Sequence, residues 1–359
     1  MLKGWREIMP PHATRLYEID LLRFIAAMAV FLYHCAFRGR FFNIYTIDYP
    51  DLAVFCKYGF LGVDFFFIIS GFVILMSVQG KTPSSFVQSR CIRLFPAFWL
   101  AASLTALVCL FWGPDMFKPQ LGQYLLNLTM LSGFLGVESI DGVYWTLFVE
   151  ILFYIFVLII LLLKQLRHIV FYLSLWLIFS FISAIIYIPW IIQYVFILNW
   201  ACYFVAGAVL FLIMKNGMNR QYAALLLSAY GIAIYRIPSR FDSLSTTYAT
   251  NFSVLTGVLL VTGIFVVMTL VALRKIQLSK RKKLIAIFGS ISYPVYLIHH
   301  NAGFVYMANM EPFMNKHVVL GTLFIIVMMT AYGITLYEKR MSSWMRNILQ
   351  RSPKTLSVS

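Results

Sequence analysis

The stretch from Ile19 to Arg38, IDLLRFIAAMAVFLYHCAFR, is apolar and long enough to cross a bilayer, since about 20 residues rising 1.5 Å each span the hydrocarbon core. It nevertheless carries ionisable residues. Arg23 and His34 are 11 residues apart, close to three helical turns, so both project from nearly one face. Ala26, Ala27 and Val30 lie on or beside that face and are small enough for a neighbouring helix or a ligand to approach. Ionisable groups within a span are costly and ordinarily face a protein interior or a polar cavity, which makes the pair a candidate functional site. A plainer reading has Arg23 snorkelling to the lipid headgroups and His34 hydrogen-bonded between helices.

Similar apolar runs fill most of the remaining chain. With 61% hydrophobic and 12% charged residues over 359 positions, and a mean hydropathy of +0.83, a soluble globular protein is excluded. The expected fold is all-α, a polytopic membrane helix bundle forming one domain, about 15–340 within 1–359. Ten spans are predicted, near 19–38, 58–78, 94–113, 145–164, 168–188, 193–214, 221–236, 252–273, 284–307 and 317–337, by length and apolarity. An even count places both termini on one side. That side then holds 21 of the 29 lysines and arginines, the opposite side holds 7 and Arg23 lies in a span. This bias predicts cytoplasmic termini in a cell (inner) membrane. It also accounts for the formal charge of +16 as a topology signal facing membrane lipids, so no nucleic-acid partner is expected. The first span, preceded by basic and polar residues 1–18, is expected to be retained because no small-residue cleavage site follows it. Cysteines 35, 56, 91, 109 and 202 have no CxxC spacing, so neither a disulfide framework nor a metal site is expected.

The long connection 114–144 contains YLLNLTMLSGFLG, from Tyr124 to Gly136. Asn127, Ser132 and the glycines argue against a full span, and an interfacial or re-entrant segment over the outer mouth of a cavity is predicted.

Assigning each span a direction allows depths to be compared. His34, Asp64, Glu150 and His299 are then predicted to lie in one slab in the outer half of the membrane. Packed together, such groups satisfy one another, whereas apart each needs its own buried partner. A histidine beside a carboxylate is the usual general base for a hydroxyl, and His34 with Glu150 is the expected pair. Asp64, among glycines and phenylalanines, fits either function or helix packing. Ser292, Tyr296 and His299 are spaced i, i+4, i+7 and form one polar stripe, on a helix that Pro294 loosens. His300 is expected to face elsewhere, at the interface. At the other end Arg90 and Arg93 share a helical face at the depth of Arg23. Guanidinium groups suit phosphate recognition, although arginines also collect at the cytoplasmic ends of spans without any ligand.

In order along the chain stand Arg23 with His34, GVDFFFIISGF from Gly62 to Phe72, Arg90-x-x-Arg93 before LFPAFW, W-x-L-x-x-E from Trp145 to Glu150, and SYPVYLIHH from Ser292 to His300. Together they resemble the acyltransferase-3 family of integral membrane acyltransferases, over about residues 15 to 340. The resemblance implies transfer of an acyl group, most often acetyl, from cytoplasmic acyl-coenzyme A. The implied acceptor is a hydroxyl of a cell-surface or periplasmic glycan such as O-antigen, exopolysaccharide or capsule. It implies that Arg23 and His34 are an essential pair, that Arg90 and Arg93 are donor-side arginines, and that Glu150 and His299 occupy other motif positions. Some members carry a further hydrolase-like domain, and none is expected here. Asp64, Trp145, Tyr296 and Ser292 are candidate substrate-binding residues. Tyr124, Phe134, Tyr144 and Trp145 can stack on a sugar, while an interfacial aromatic belt explains them equally. Either direct attack by a hydroxyl deprotonated by His34 or an acyl-histidine intermediate fits the residues. The rival function is a transporter or flippase of a glycan or lipid-linked sugar, which ten spans with buried charges also fit. The missing repeat symmetry and the two histidines weigh against it.

Overall fold

A computed structural model describes residues 15–278 and 280–351. The basic tails at 1–14 and 352–359, and Ser279 within the basic run 274–283, lie outside the described residues. The chain forms α1 (Tyr17–Ala36), α2 (Pro50–Cys56), α3 (Leu61–Val78), α4 (Pro83–Trp112), α5 (Leu121–Asn127), α6 (Trp145–Leu162), α7 (Ile169–Ile185) and α8 (Trp190–Val195). There follow α9 (Ala201–Asn216), α10 (Arg220–Tyr235), α11 (Ile237–Tyr248), α12 (Val254–Ala272), α13 (Lys282–Ile298), α14 (Asn301–Met310) and α15 (Lys316–Arg351). No strand occurs among the described residues, and the protein is an all-α polytopic membrane bundle.

Each of the ten predicted spans is helical, and seven stretches of the structure are long and apolar enough to cross a membrane. The spans expected at 193–214 and 221–236 are helices of 16 residues, and that at 284–307 begins with one of 17. For α9 the reason is its surroundings. Every residue from Ala201 to Ile213 is buried, so α9 is a central pillar covered by protein. The lipid-facing character falls to outer helices such as α7, where Phe171, Leu175, Ile178, Ile182 and Ile185 stand exposed at helical spacing. The predicted connection 114–144 does not span. It holds α5 and two short 3₁₀ turns, pinned by the buried Asn127, whose Nδ2 donates to the Gln123 and Glu138 carbonyls and whose Oδ1 accepts from Ile140 N–H.

Local chemistry sets the helix ends. Thr82 and Ser85 make a reciprocal capping box at the start of α4, with Pro83 in the first turn, so orphan donors are satisfied and the fixed proline φ is already helical. In α1, Glu18 and Asp20 lie in the first turn, where the helix dipole favours negative charge. The central crossings depend on absent side chains. A Cβ on Gly207 of α9 would stand 1.9 Å from the Ile68 carbonyl oxygen of α3, and one on Gly62 of α3 would stand 2.6 Å from that of Ala26 in α1. Such close crossings are how helices gain packing in lipid.

The predicted ninth span is two helices. Pro294 removes the amide that would bond the Ser290 carbonyl, and Thr335 Oγ1 of α15 donates to that carbonyl at 3.3 Å. The helix stops at His299 and His300, whose dihedrals are −80°, −20° and −88°, −84°. A helix ending inside a bundle leaves carbonyls without partners. Here His299 Nδ1 donates to the Tyr296 and Val295 carbonyls, and the Tyr144 hydroxyl donates to that of Leu297 at 3.2 Å. On the far side, Asn301 N–H donates to Asp141 Oδ2 at 3.0 Å and Asn301 Nδ2 to the Ile140 carbonyl at 2.7 Å, which starts α14. The break is thus held on both sides by side-chain hydrogen bonds.

Candidate functional site

Because α1 packs along α13, the break in α13–α14 falls beside the C-terminal end of α1. His34, His299 and His300 are all buried there. Their hydrogen-bond geometry assigns the tautomers. His299 Nδ1 lies 2.9 Å from the Tyr296 carbonyl oxygen and 3.2 Å from that of Val295. Carbonyls only accept, so Nδ1 carries the proton and Nε2 of a neutral ring holds the lone pair. His34 Nδ1 stands 2.9 Å from that Nε2 and therefore donates. The lone pair of His34 is left on Nε2, where Arg38 Nη1 donates at 3.3 Å. The His300 ring packs edge-on against His34 at 4.4 Å between centroids, with its Nδ1 2.6 Å from Asn301 Oδ1 and 3.3 Å from Asp141 Oδ1.

Three turns back along α1, Arg23 enters a cavity of about 430 Å³. The cavity brings Arg23, Arg90, Arg93, Ser292, Tyr296 and Glu150 together on one lining. Glu150 Oε1 accepts from Ser70 Oγ at 2.7 Å and from the Tyr154 hydroxyl at 2.6 Å, and Arg93 is paired with Glu338 of α15. Arg23 has no hydrogen-bond or ion-pair partner among the described residues, and it also borders a second hollow of about 340 Å³ shared with Arg93, Glu338 and Lys339. A half-buried guanidinium with no hydrogen-bonded carboxylate, in a cavity whose charged lining residues are mostly basic, is a ready receptor for an anion. Towards the histidines the lining ends at Thr146 and Tyr296, whose hydroxyls are hydrogen-bonded at 2.7 Å. Tyr296 is the partition between the two halves, with its ring 5.7 Å from that of His299.

Several expectations are corrected. His34 and Glu150 do not pair, because Glu150 belongs to the arginine-lined cavity and the hydrogen-bond partner of His34 Nδ1 is His299. The four residues do not pack as one cluster. Asp64 is buried against Arg240, with Oδ2 2.6 Å from Nη1, so its carboxylate serves an ion pair between α3 and α11. Trp145 packs on Trp200 at 5.1 Å and borders a small pocket of about 50 Å³ apart from the main cavity. His300 is buried against His34, because the helix break voids the wheel that turned it outward. Among the described residues no group of three or more His, Cys, Asp or Glu side chains is arranged to hold a metal ion.

A base-type histidine at one end of a helix and an open arginine in a cavity at the other fit group transfer across the bundle. A family model described as an acyltransferase domain matches residues 16–338. The chain belongs to the acyltransferase-3 family. This acyltransferase is 25% identical over 289 residues, 79% of its own length and 82% of the relative's, to ORF330 of Acidianus two-tailed virus, which is named as a candidate acetyltransferase. It is 32% identical over 114 residues to Nodulation protein 10 of Rhizobium leguminosarum bv. viciae, covering 26% of this chain and 31% of that protein. It is also 34% identical over 89 residues to Acyltransferase MdmB of Streptomyces mycarofaciens, covering 24% and 22%. The chain thus matches less than a third of the last two relatives' length. No solved structure matches it.

Sequence reasoning about the acyltransferase missed Asp141, Asn301 and Arg38. Asp141 is fully buried and accepts from both Val143 N–H, at 3.1 Å, and Asn301 N–H, so it holds the break that aims two histidines at His34. Its signal was a carboxylate in the turn SIDGVYW just before a span. Arg38 was counted only as a loop charge, although it follows His34 by four residues, one helical turn.

Proposed function

We propose that this membrane acyltransferase moves an acyl group, in the simplest case acetyl, from acyl-coenzyme A to a hydroxyl of a glycan at or beyond the opposite membrane face. The observation that carries the reading is the His34 tautomer. With Nδ1 committed to His299, the lone pair lies on Nε2, where a hydroxyl that displaces Arg38 Nη1 can give up its proton to a general base. The donor's phosphates bind Arg23, Arg90 and Arg93 at the cytoplasmic end, and the extended pantetheine arm runs past Tyr296 towards His34. The rise from Arg23 to His34 is about 16 Å for eleven residues of helix. Holding both reactants on one rigid frame converts a bimolecular encounter into an oriented one.

The acceptor hydroxyl gives its proton to His34 Nε2 as its oxygen bonds to the thioester carbonyl carbon. The tetrahedral centre then collapses with cleavage of the carbon–sulfur bond, and the departing thiolate takes the proton from the imidazolium. Ester and free thiol result, with no net proton change. Glu150, engaged by Ser70 and Tyr154, shapes the donor cavity in this scheme and does not orient the base. Ser292 and Tyr296 line the donor path.

Transfer of label from radiolabelled acetyl-coenzyme A to surface glycan, in membranes holding equal folded wild type, His34→Ala or Arg23→Ala, tests the proposal. Both variants are expected to lose label. Full labelling with His34→Ala would refute the mechanism. Label retained on the protein without acceptor would replace direct attack by an acyl-enzyme. Glycan moved across the membrane without chemical change would favour a transporter.

A further inference from the structure

We infer that Arg38 is a further catalytic residue, the donor that stabilises the negative charge on the thioester carbonyl oxygen during transfer. This rests on the acyl-transfer reading above.

A general base needs open space at its lone pair, yet the group occupying that space is a half-buried guanidinium, with Nη1 3.3 Å from His34 Nε2. Arg38 reaches this position because α1 ends at Ala36 and the chain tightens into a 3₁₀ turn, Arg38–Phe42, after Phe37 (φ −132°, ψ −62°). Phe37 itself is buried against Tyr248 and Phe252, which anchors the turn. A point about 3 Å from Nε2 is consequently about 3 Å from a guanidinium N–H as well, the double proximity that a reacting centre requires.

In the reaction the hydroxyl displaces Nη1 from Nε2. The guanidinium, with five donors in a planar fork, then lies beside the carbon under attack. As the oxygen–carbon bond forms, the electron pair of the carbonyl moves onto its oxygen, and Arg38 donates to that oxyanion. When the carbonyl re-forms, the carbon–sulfur bond breaks and the thiolate takes the proton held by His34. Arg38 neither gains nor loses a proton. Two neighbouring polar groups point their hydrogen bonds elsewhere. The Tyr33 hydroxyl donates to that of Tyr248 at 3.2 Å, and His300 Nδ1 faces Asn301 and Asp141. Arg38 is the permanently charged donor on the open nitrogen. An oxyanion donor acts only when charge develops, so its loss lowers kcat and leaves donor binding intact.

Purified full-length wild type, Arg38→Gln, Arg38→Lys, Arg38→Ala and His34→Ala, reconstituted in lipid nanodiscs, are compared in acetyl transfer from acetyl-coenzyme A to isolated surface glycan. Binding of coenzyme A is followed in parallel by thermal shift. Arg38→Gln is expected to lower kcat about 100- to 1,000-fold, with KM for the donor and the coenzyme A shift unchanged. Arg38→Lys should recover part of the rate, and added ethylguanidine should raise the rate of Arg38→Ala but not of His34→Ala. A merely structural arginine would show neither rescue. If Arg38→Gln is unfolded, the lysine variant and the rescue decide the matter. An Arg38→Gln kcat within threefold of wild type, with His34→Ala inactive, would overturn the inference and leave the base standing. No transfer by wild type from acetyl or succinyl donors would overturn both.

Discussion

Replacing His299 with phenylalanine removes the acceptor of the His34 Nδ1 proton while keeping a ring of similar size. The buried N–H then loses its side-chain acceptor, at a cost of up to about 1–3 kcal/mol. The ring offsets that cost by moving the proton to Nε2, at the expense of the Arg38 Nη1 contact, and a neutral His34 then presents N–H, not a lone pair, to the acceptor hydroxyl. If the wrong tautomer is favoured by that amount, the competent fraction falls about 5- to 150-fold, since about 1.4 kcal/mol is a factor of ten. His299→Gln places an amide oxygen near the lost Nε2 and should hold kcat within about tenfold of wild type. Because the cavity that holds Arg23 stops at Tyr296 and Thr146, KM for the donor should stay unchanged in both variants. Single-turnover transfer at saturating donor measures the effect, with thermal melting as a check, since His299 also caps the end of α13. A folded His299→Phe with kcat within twofold of wild type would refute the argument that His299 fixes the base. A raised KM with unchanged kcat would put His299 on the donor path instead.

Three further outcomes follow from the same geometry. Arg23→Gln should raise KM for acyl-coenzyme A about 10- to 150-fold, the worth of a charge-assisted hydrogen bond of about 1.5–3 kcal/mol, as initial rates against donor concentration will reveal. Asp64→Asn strands the Arg240 charge and should destabilise the protein by about 3–5 kcal/mol, read as a lowered Tm with kcat per folded molecule unchanged, and the double variant Asp64→Leu, Arg240→Leu should recover much of the loss. Gly207→Ala sets a methyl 1.9 Å from the Ile68 carbonyl and should cost at least about 1–3 kcal/mol, measured by thermal unfolding in detergent.

What was legible in the sequence was periodic or compositional. The helices, the non-spanning connection after α4 and the shared face of Arg23 and His34 follow from hydropathy and a 3.6-residue repeat, which act locally. Arg90 and Arg93 line the cavity with Arg23 because a helical face predicts who shares a side. The pairing of His34 with Glu150 failed for a related reason. Counting residues from an uncertain span end fixes neither the register of one helix against another nor the facing side, and Glu150 turns to Ser70 and Tyr154. The break at His299 was invisible locally. Pro294 hints at a kink, but Thr335, Asp141 and Tyr144, which supply the missing bonds, are distant in sequence. His300 was misplaced as a direct consequence.

The distribution of carboxylates explains why His34 is oriented through a second histidine. Asp64 is paired with Arg240, Glu338 with Arg93, and Asp141 with the start of α14. Each buried anion thereby has a cation or backbone donors against it, without which its desolvation costs several kcal/mol. A fourth carboxylate on His34 Nδ1 would have needed the same support, and it would have set a fixed negative charge beside a carbonyl oxygen that becomes negative in the proposed transfer. The chain from His34 through His299 to the Tyr296 carbonyl fixes the same tautomer with neutral groups. The permanent charge that touches His34 among the described residues is then the Arg38 guanidinium, of the sign that the developing oxyanion of the proposed transfer requires.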